Sequence, residues 1–150
     1  MKLIKIASLF LFFVVAACST LTLKPTDFAW PVESVLKIND DGNVSEDRHS
    51  IEFNTKGIFF EELNDSSAFA NREIRILRDM NGYYFITAEK FKNVYVFKSD
   101  EGELVLENKI FISEVGIEKP ALNQRKPFVE LLDGGKSLYL TNEGIDRTEK

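Results

Sequence analysis

The chain has 150 residues, with 19 Lys and Arg against 24 Asp and Glu, a single His and a single Cys. That length supports one domain with a core large enough to fold without disulfides. A net charge of −5 argues against nucleic acid or an anionic membrane surface as partner, and 44% hydrophobic residues with only four prolines argue against disorder.

The first eighteen residues open with Lys2 and Lys5. An apolar run from Ile6 to Val15, broken by Ser8, closes on Val15-Ala16-Ala17-Cys18, the only cysteine of the chain. A charged start, a short apolar core and small residues before a cut site describe a secretory signal. A transmembrane anchor helix competes, but spanning needs about 20 apolar residues, more than this run offers. Val15-Ala16-Ala17-Cys18 resembles the lipobox of bacterial lipoproteins: an aliphatic residue, two small residues, then cysteine. The resemblance covers residues 1–18 alone. It implies that residues 1–17 are a cleaved signal peptide and that Cys18 is acylated and becomes the new N-terminus. The membrane is then a partner through acylated Cys18, and the protein is exported and held in the cell envelope. Ser19, in place of an aspartate, points by the same resemblance to the outer rather than the inner membrane of a Gram-negative cell. Lipidation also accounts for an odd cysteine, which has no internal partner and would otherwise be a reactive thiol. Two acyl chains hold a protein stably where one holds it marginally. Cleavage removes two lysines and no acid, leaving 17 basic against 24 acidic residues, a charge of −7 with His49 neutral.

Residues 18–26 then read as the lipidated cysteine and a short tether, the eight residues after Cys18 spanning at most about 28 Å. A β-rich domain is expected over 27–142 and a polar tail over 143–150. Pro31 biases Trp30 to an extended backbone, so Phe28 and Trp30 share one face. They either plug one end of the core or form an exposed aromatic platform.

Val32, Leu36 and Ile38 suggest a first strand, Asn39 to Asn43 a dense turn, and Ile51 with Phe53 a weaker strand. Ile58 to Leu63 reads equally as a short strand or one helical turn, and Asn64 to Ala70 as a surface loop. Glu73–Arg78 and Tyr83–Thr87 flank Asn81-Gly82, which predicts a two-residue turn placing Leu77 opposite Ile86. Apolar residues on both faces put that hairpin in a central or covered position. A three-residue loop, Asp100-Glu101-Gly102, predicts a second hairpin with Val96 opposite Leu106. Its second strand runs on through Ile110 and Ile112, with a bulge or bend at Asn108. Ser113 to Pro127 reads as the longest irregular connection, either functional or a crossover between sheets. In the last hairpin, Gly134-Gly135 pairs Asp133 with Lys136, Leu131 with Leu138 and Val129 with Leu140. The fold expected is all-β, a single-domain antiparallel meander of hairpins forming a sandwich or partly closed barrel.

Chemistry is sparse. His49 is the sole histidine and no Gly-x-Ser-x-Gly elbow is present, so a serine triad has little support. One histidine and a lipidated cysteine give zinc none either. Asn39, Asp41, Asn43, Ser45 and Asp47 alternate oxygen-bearing side chains, but an EF-hand needs Gly at position six and Glu at twelve, where this stretch has Val44 and Ser50. On a strand, Glu61 and Glu62 would face opposite ways, as would Arg75 relative to Arg72 and Arg78. No cofactor is implied. The reading is a non-enzymatic envelope lipoprotein that binds an envelope protein or polymer or serves an assembly. The alternatives are a carbohydrate- or peptide-binding surface using Phe28, Trp30, Tyr83, Tyr95 and Tyr139, and a small envelope hydrolase.

Overall fold

A computed structural model describes residues 32–147. Eleven strands and one helix follow in chain order: β1 (Ser34–Lys37), β2 (Asn43–Glu46), β3 (Ile51–Asn54), α1 (Lys56–Leu63), β4 (Glu73–Arg78), β5 (Tyr83–Thr87), β6 (Asn93–Asp100), β7 (Glu103–Phe111), β8 (Pro120–Arg125), β9 (Phe128–Asp133), β10 (Lys136–Thr141) and β11 (Gly144–Asp146). All pairings are antiparallel. They build a five-stranded sheet of order β1-β4-β5-β6-β7, a four-stranded sheet β11-β10-β9-β8 and the separate hairpin β2–β3. The two larger sheets form a sandwich and, among the described residues, do not close into a barrel.

The core follows from period-two alternation. Leu77, Phe85, Val94, Val96 and Ile110 leave the inner face of the five-stranded sheet and meet Leu122, Val129, Leu131 and Leu140 from the four-stranded one. Each such side chain contributes about 1.5–3 kcal/mol by leaving water. The alternate residues Ile74, Ile76, Tyr84, Ile86 and Tyr95 are also buried, on the opposite face, against Phe59 of α1, Phe69 and Phe91. A second cover, from α1 and β2–β3, therefore lies on the outer face of the five-stranded sheet.

The expected register of the last hairpin is present: Asp133 pairs with Lys136, Leu131 with Leu138 and Val129 with Leu140. Both turn glycines have positive φ, 55° and 100°. The first major hairpin differs by one residue. Leu77 pairs with Phe85, not Ile86, because Asp79 extends the loop to three residues. The Asp79 carboxylate accepts the backbone N–H groups of Asn81 and Tyr83, both at 2.8 Å, while its own N–H reaches the Tyr83 carbonyl. Asn39 does the same at its turn, its Oδ1 accepting the N–H groups of Asp41 and Asn43. This use of the oxygen-rich stretch leads into β2, which the sequence reading left within the turn region.

The second hairpin is also shifted. Asp100 pairs with Glu103 around a two-residue Glu101-Gly102 turn with φ of 45° and 89°, so Phe97, not Val96, faces Leu106. The register then slips, Val96 facing Asn108, which places the bulge where Asn108 was expected to interrupt the strand. The ambiguous segment 58–63 is helical. Asn54 Oδ1 accepts the Lys56 N–H at its start, and Asn64, in the left-handed region, donates back to the Phe60 carbonyl at its end.

Ser113 to Pro127 begins as the expected crossover between sheets, residues 112–119 leading from β7 of the five-stranded sheet to β8 of the four-stranded one. Its remainder is not irregular but holds β8, whose Leu122 and Gln124 are buried although Asn123 and Gln124 obscure the pattern. Pro120 opens this edge strand, where its missing N–H is tolerated. Residues 144–146 of the expected tail form β11, paired to β10. Ahead of β8, Ile117 is buried in the core and its backbone is tied to Phe91 and Lys90 at 2.8 and 2.7 Å. Gly116 lies so close that a Cβ there would sit 2.6 Å from the Lys90 carbonyl oxygen, and its φ is +84°. Gly116→Ala should therefore lose about 2–3 kcal/mol of stability in denaturant titration; a loss below about 0.5 kcal/mol would contradict this packing.

Candidate functional site

Among the described residues, the outer cover of the five-stranded sheet is incomplete. Phe53, Asn54, Gly57, Ile58 and Glu61, from β3 and α1, form one wall of a pocket of about 300 Å³. Ile86, Tyr95, Phe97, Leu104 and Leu106 complete its lining. A second cavity of about 640 Å³ is lined by His49, Ser50, Glu52, Tyr84, Ser99 and Glu103. Phe53 and Leu104 line both, so the two form a continuous groove. Leu106 and Phe60 remain 48% and 57% exposed beside it.

The α1 wall is fixed by Glu62. Its carboxylate accepts the Lys92 N–H at 2.6 Å, the Asn93 amide at 2.7 Å and the Tyr95 hydroxyl at 2.7 Å. Burial first, then the hydrogen bond to Glu62, pushes the Tyr95 phenol well above its ordinary range, so Tyr95 remains a donor. Glu61, one residue earlier, pairs with Lys109 of β7. On a helix the two adjacent carboxylates form their main contacts with different strands, Glu62 with β6 and Glu61 with β7.

His49 is half-buried. Its ring meets Tyr84 edge-on, with centroids 5.9 Å apart. Desolvation lowers its pKa, against an opposing pull from Glu46 and with help from Arg78 and Arg48. The groove does bring His49, two serines and two glutamates to one cavity. Glu46, the carboxylate whose charge acts on His49, does not orient the imidazole. One of its oxygens accepts from Ser34 and the other from the His49 backbone N–H, at 2.8 and 2.7 Å. A base needs such an orienting partner to act in a triad.

Of the aromatic residues proposed from sequence, the three among the described residues, Tyr83, Tyr95 and Tyr139, do not come together. Tyr83 packs against the core between the sheets, with Lys98 5.7 Å from its ring. Tyr95 is buried on the opposite face, and Tyr139 lies beside Phe128, 5.8 Å away, on the four-stranded sheet. Val15, Ala16, Ala17, Cys18, Phe28 and Trp30 lie outside the described residues. The arginines are also dispersed in role: Arg72 donates to the Glu89 carbonyl, Arg75 pairs with Glu33 at 2.8 Å and Arg78 covers Tyr84. Arg72 and Arg75 do line one depression, but with Glu73 and Glu89 in it. Among the described residues, no three His, Cys, Asp or Glu side chains cluster to hold a metal. Sequence reasoning did not bring Ile58, Phe97, Leu104 and Leu106 together as a site, because no sequence signal links segment 58–63 to the face that Leu104 and Leu106 share.

Comparison with protein-family models, curated proteins and solved structures finds no match to this chain.

The lowered His49 pKa has a defined consequence. The folded state binds a proton less readily than the unfolded state, whose histidine titrates near 6.5. The contribution of neutral His49 is present above that value and is lost as pH falls through it toward the folded pKa. Thermal unfolding between about pH 7.5 and 5.5 should show a steeper acid loss for the wild type than for His49→Gln. Identical slopes would contradict the assignment.

Proposed function

We propose that this chain is a lipid-anchored lipoprotein of the cell envelope, and that its β-sandwich domain is a non-enzymatic binding or assembly module. The anchor half of this reading is carried by one observation, an apolar run closing on Val15-Ala16-Ala17 and the sole cysteine, Cys18. The groove supports the other half. It is open, has an apolar floor and lies on the face of the central sheet that the fold leaves partly uncovered. Its partner is an envelope protein or polymer.

The two other readings are less well supported. An aromatic carbohydrate or peptide platform of Phe28, Trp30, Tyr83, Tyr95 and Tyr139 gains no support from its three described members, since Tyr83, Tyr95 and Tyr139 occupy three different surfaces. A hydrolase would need an orienting carboxylate on His49, while Glu46 is engaged by Ser34 and by the His49 backbone.

The anchor is tested by metabolic labelling of the full chain with a radioactive fatty acid in a bacterial host. Wild type should carry label and sediment with membranes, whereas Cys18→Ser should carry no label and lose its acylated form. Label persisting on Cys18→Ser would refute the assignment.

A further inference from the structure

Resting on the binding-module reading, we propose that the groove takes an extended polypeptide segment of alternating apolar and basic side chains, which adds a strand to the free edge of β7. β7 ends the five-stranded sheet and, among the described residues, has no strand hydrogen-bonded to its other side. Its Asn108–Phe111 half lies near β11, where the Asn108 amide donates to the Asn142 carbonyl. Among the described residues, the Glu103–Glu107 half has no such neighbour. An edge strand presents alternate N–H and C=O groups outward, and an extended peptide can pair with them.

The side chains beside that edge define what such a peptide must carry. On the groove face, Leu104 and Leu106 stand next to Phe97 over the apolar pocket. A strand added about 4.8 Å from β7 would place alternate side chains over these leucines, so they must be apolar. The flanks are acidic. Glu52, Asp100, Glu101, Glu103 and Glu107 are exposed and have no salt bridge among the described residues. Lys109, the cation of this strand, is already paired with Glu61. Unneutralised carboxylates along an edge favour a basic strand and repel an acidic one. They also disfavour a second copy of this chain, because antiparallel self-pairing centred on Val105 sets Glu103 against Glu107 of the other copy.

The test uses the full isotope-labelled chain in phosphatidylcholine nanodiscs, titrated with a peptide of about ten alternating Lys and Val residues, a length that spans β7. Amide signals over 103–107 should shift, and their hydrogen exchange should slow by about tenfold or more. The same peptide N-methylated at alternate residues along its pairing edge should lose this protection. Gly57→Leu should weaken binding while leaving the fold intact, because a Cβ at Gly57 meets nothing within 4 Å and its side chain fills the pocket. The pair Glu103→Lys and Glu107→Lys should transfer preference from the Lys-Val peptide to a Glu-Val peptide by about tenfold at low salt. Undiminished binding of the N-methylated peptide, shifts confined elsewhere, or no binding by a chain still labelled at Cys18 would overturn the proposal and leave the anchor standing. Protection of 103–107 that grows with protein concentration without peptide would identify a second copy and also overturn it.

Discussion

A sheet that is apolar on both faces must be covered twice. This constraint organises the molecule. β4 and β5 direct Leu77 and Phe85 inward and Ile74, Ile76, Tyr84 and Ile86 outward, all buried. The four-stranded sheet supplies the inner cover. The segment between β1 and β4 supplies the outer one, as the β2–β3 hairpin and α1. Two small elements cover the sheet only in part, and α1 reaches β7 through the single pair Glu61–Lys109. The groove over Phe97, Leu104 and Leu106 is what this partial coverage leaves open.

Polar ties set where each cover sits. Glu33, just before β1, accepts the Leu122 N–H of β8 and the Arg75 guanidinium of β4, each at 2.8 Å. It thereby closes one edge of the sandwich and satisfies a donor on an edge strand. Glu62 performs the matching task on the other side, holding the end of α1 to the start of β6. On the outside of the four-stranded sheet, Glu130 joins β8, β9 and β10 through Arg125 and Ser137. The Arg125 hydrogen bond, followed by that of Ser137, holds the Glu130 carboxyl below its usual range, so it remains ionised and paired. The Glu33 and Glu62 contacts join elements far apart in sequence, and those of Glu62 fix the α1 wall of the groove relative to its floor.

Much of the sandwich was legible in the sequence where alternation and turn chemistry agreed. The β9–β10 hairpin is the clearest case, since Gly134-Gly135 and the Asp133–Lys136 pair specify one register. Asn81-Gly82 and Asp100-Glu101-Gly102 were each misread by one residue. A side-chain acceptor at Asp79 lengthens the first loop, and the positive φ of Glu101 shortens the second. β8 was hidden because its buried Gln124 looks like a loop residue, yet its Nε2 is satisfied by the Phe128 carbonyl at 2.7 Å. The helix was ambiguous because buried Phe59 and exposed Phe60 adjoin, giving no clean stripe. The groove was not legible at all. Its walls come from residues 53–61 and its floor from 86–106, and only tertiary packing brings them together. The Val15-Ala16-Ala17-Cys18 pattern is the reverse case, a local motif whose proposed role as an anchor depends on no fold.

The central claim is that the uncovered end of the five-stranded sheet is the face through which the anchored domain meets its partner. The direct measurement is site-specific photocrosslinking in intact cells from position 106 in the groove and from position 132 on the four-stranded sheet, which is 37% exposed. Crosslinks to a discrete envelope protein from position 106 and none from 132 are the predicted result. Crosslinks from 132 with none from 106 would contradict it.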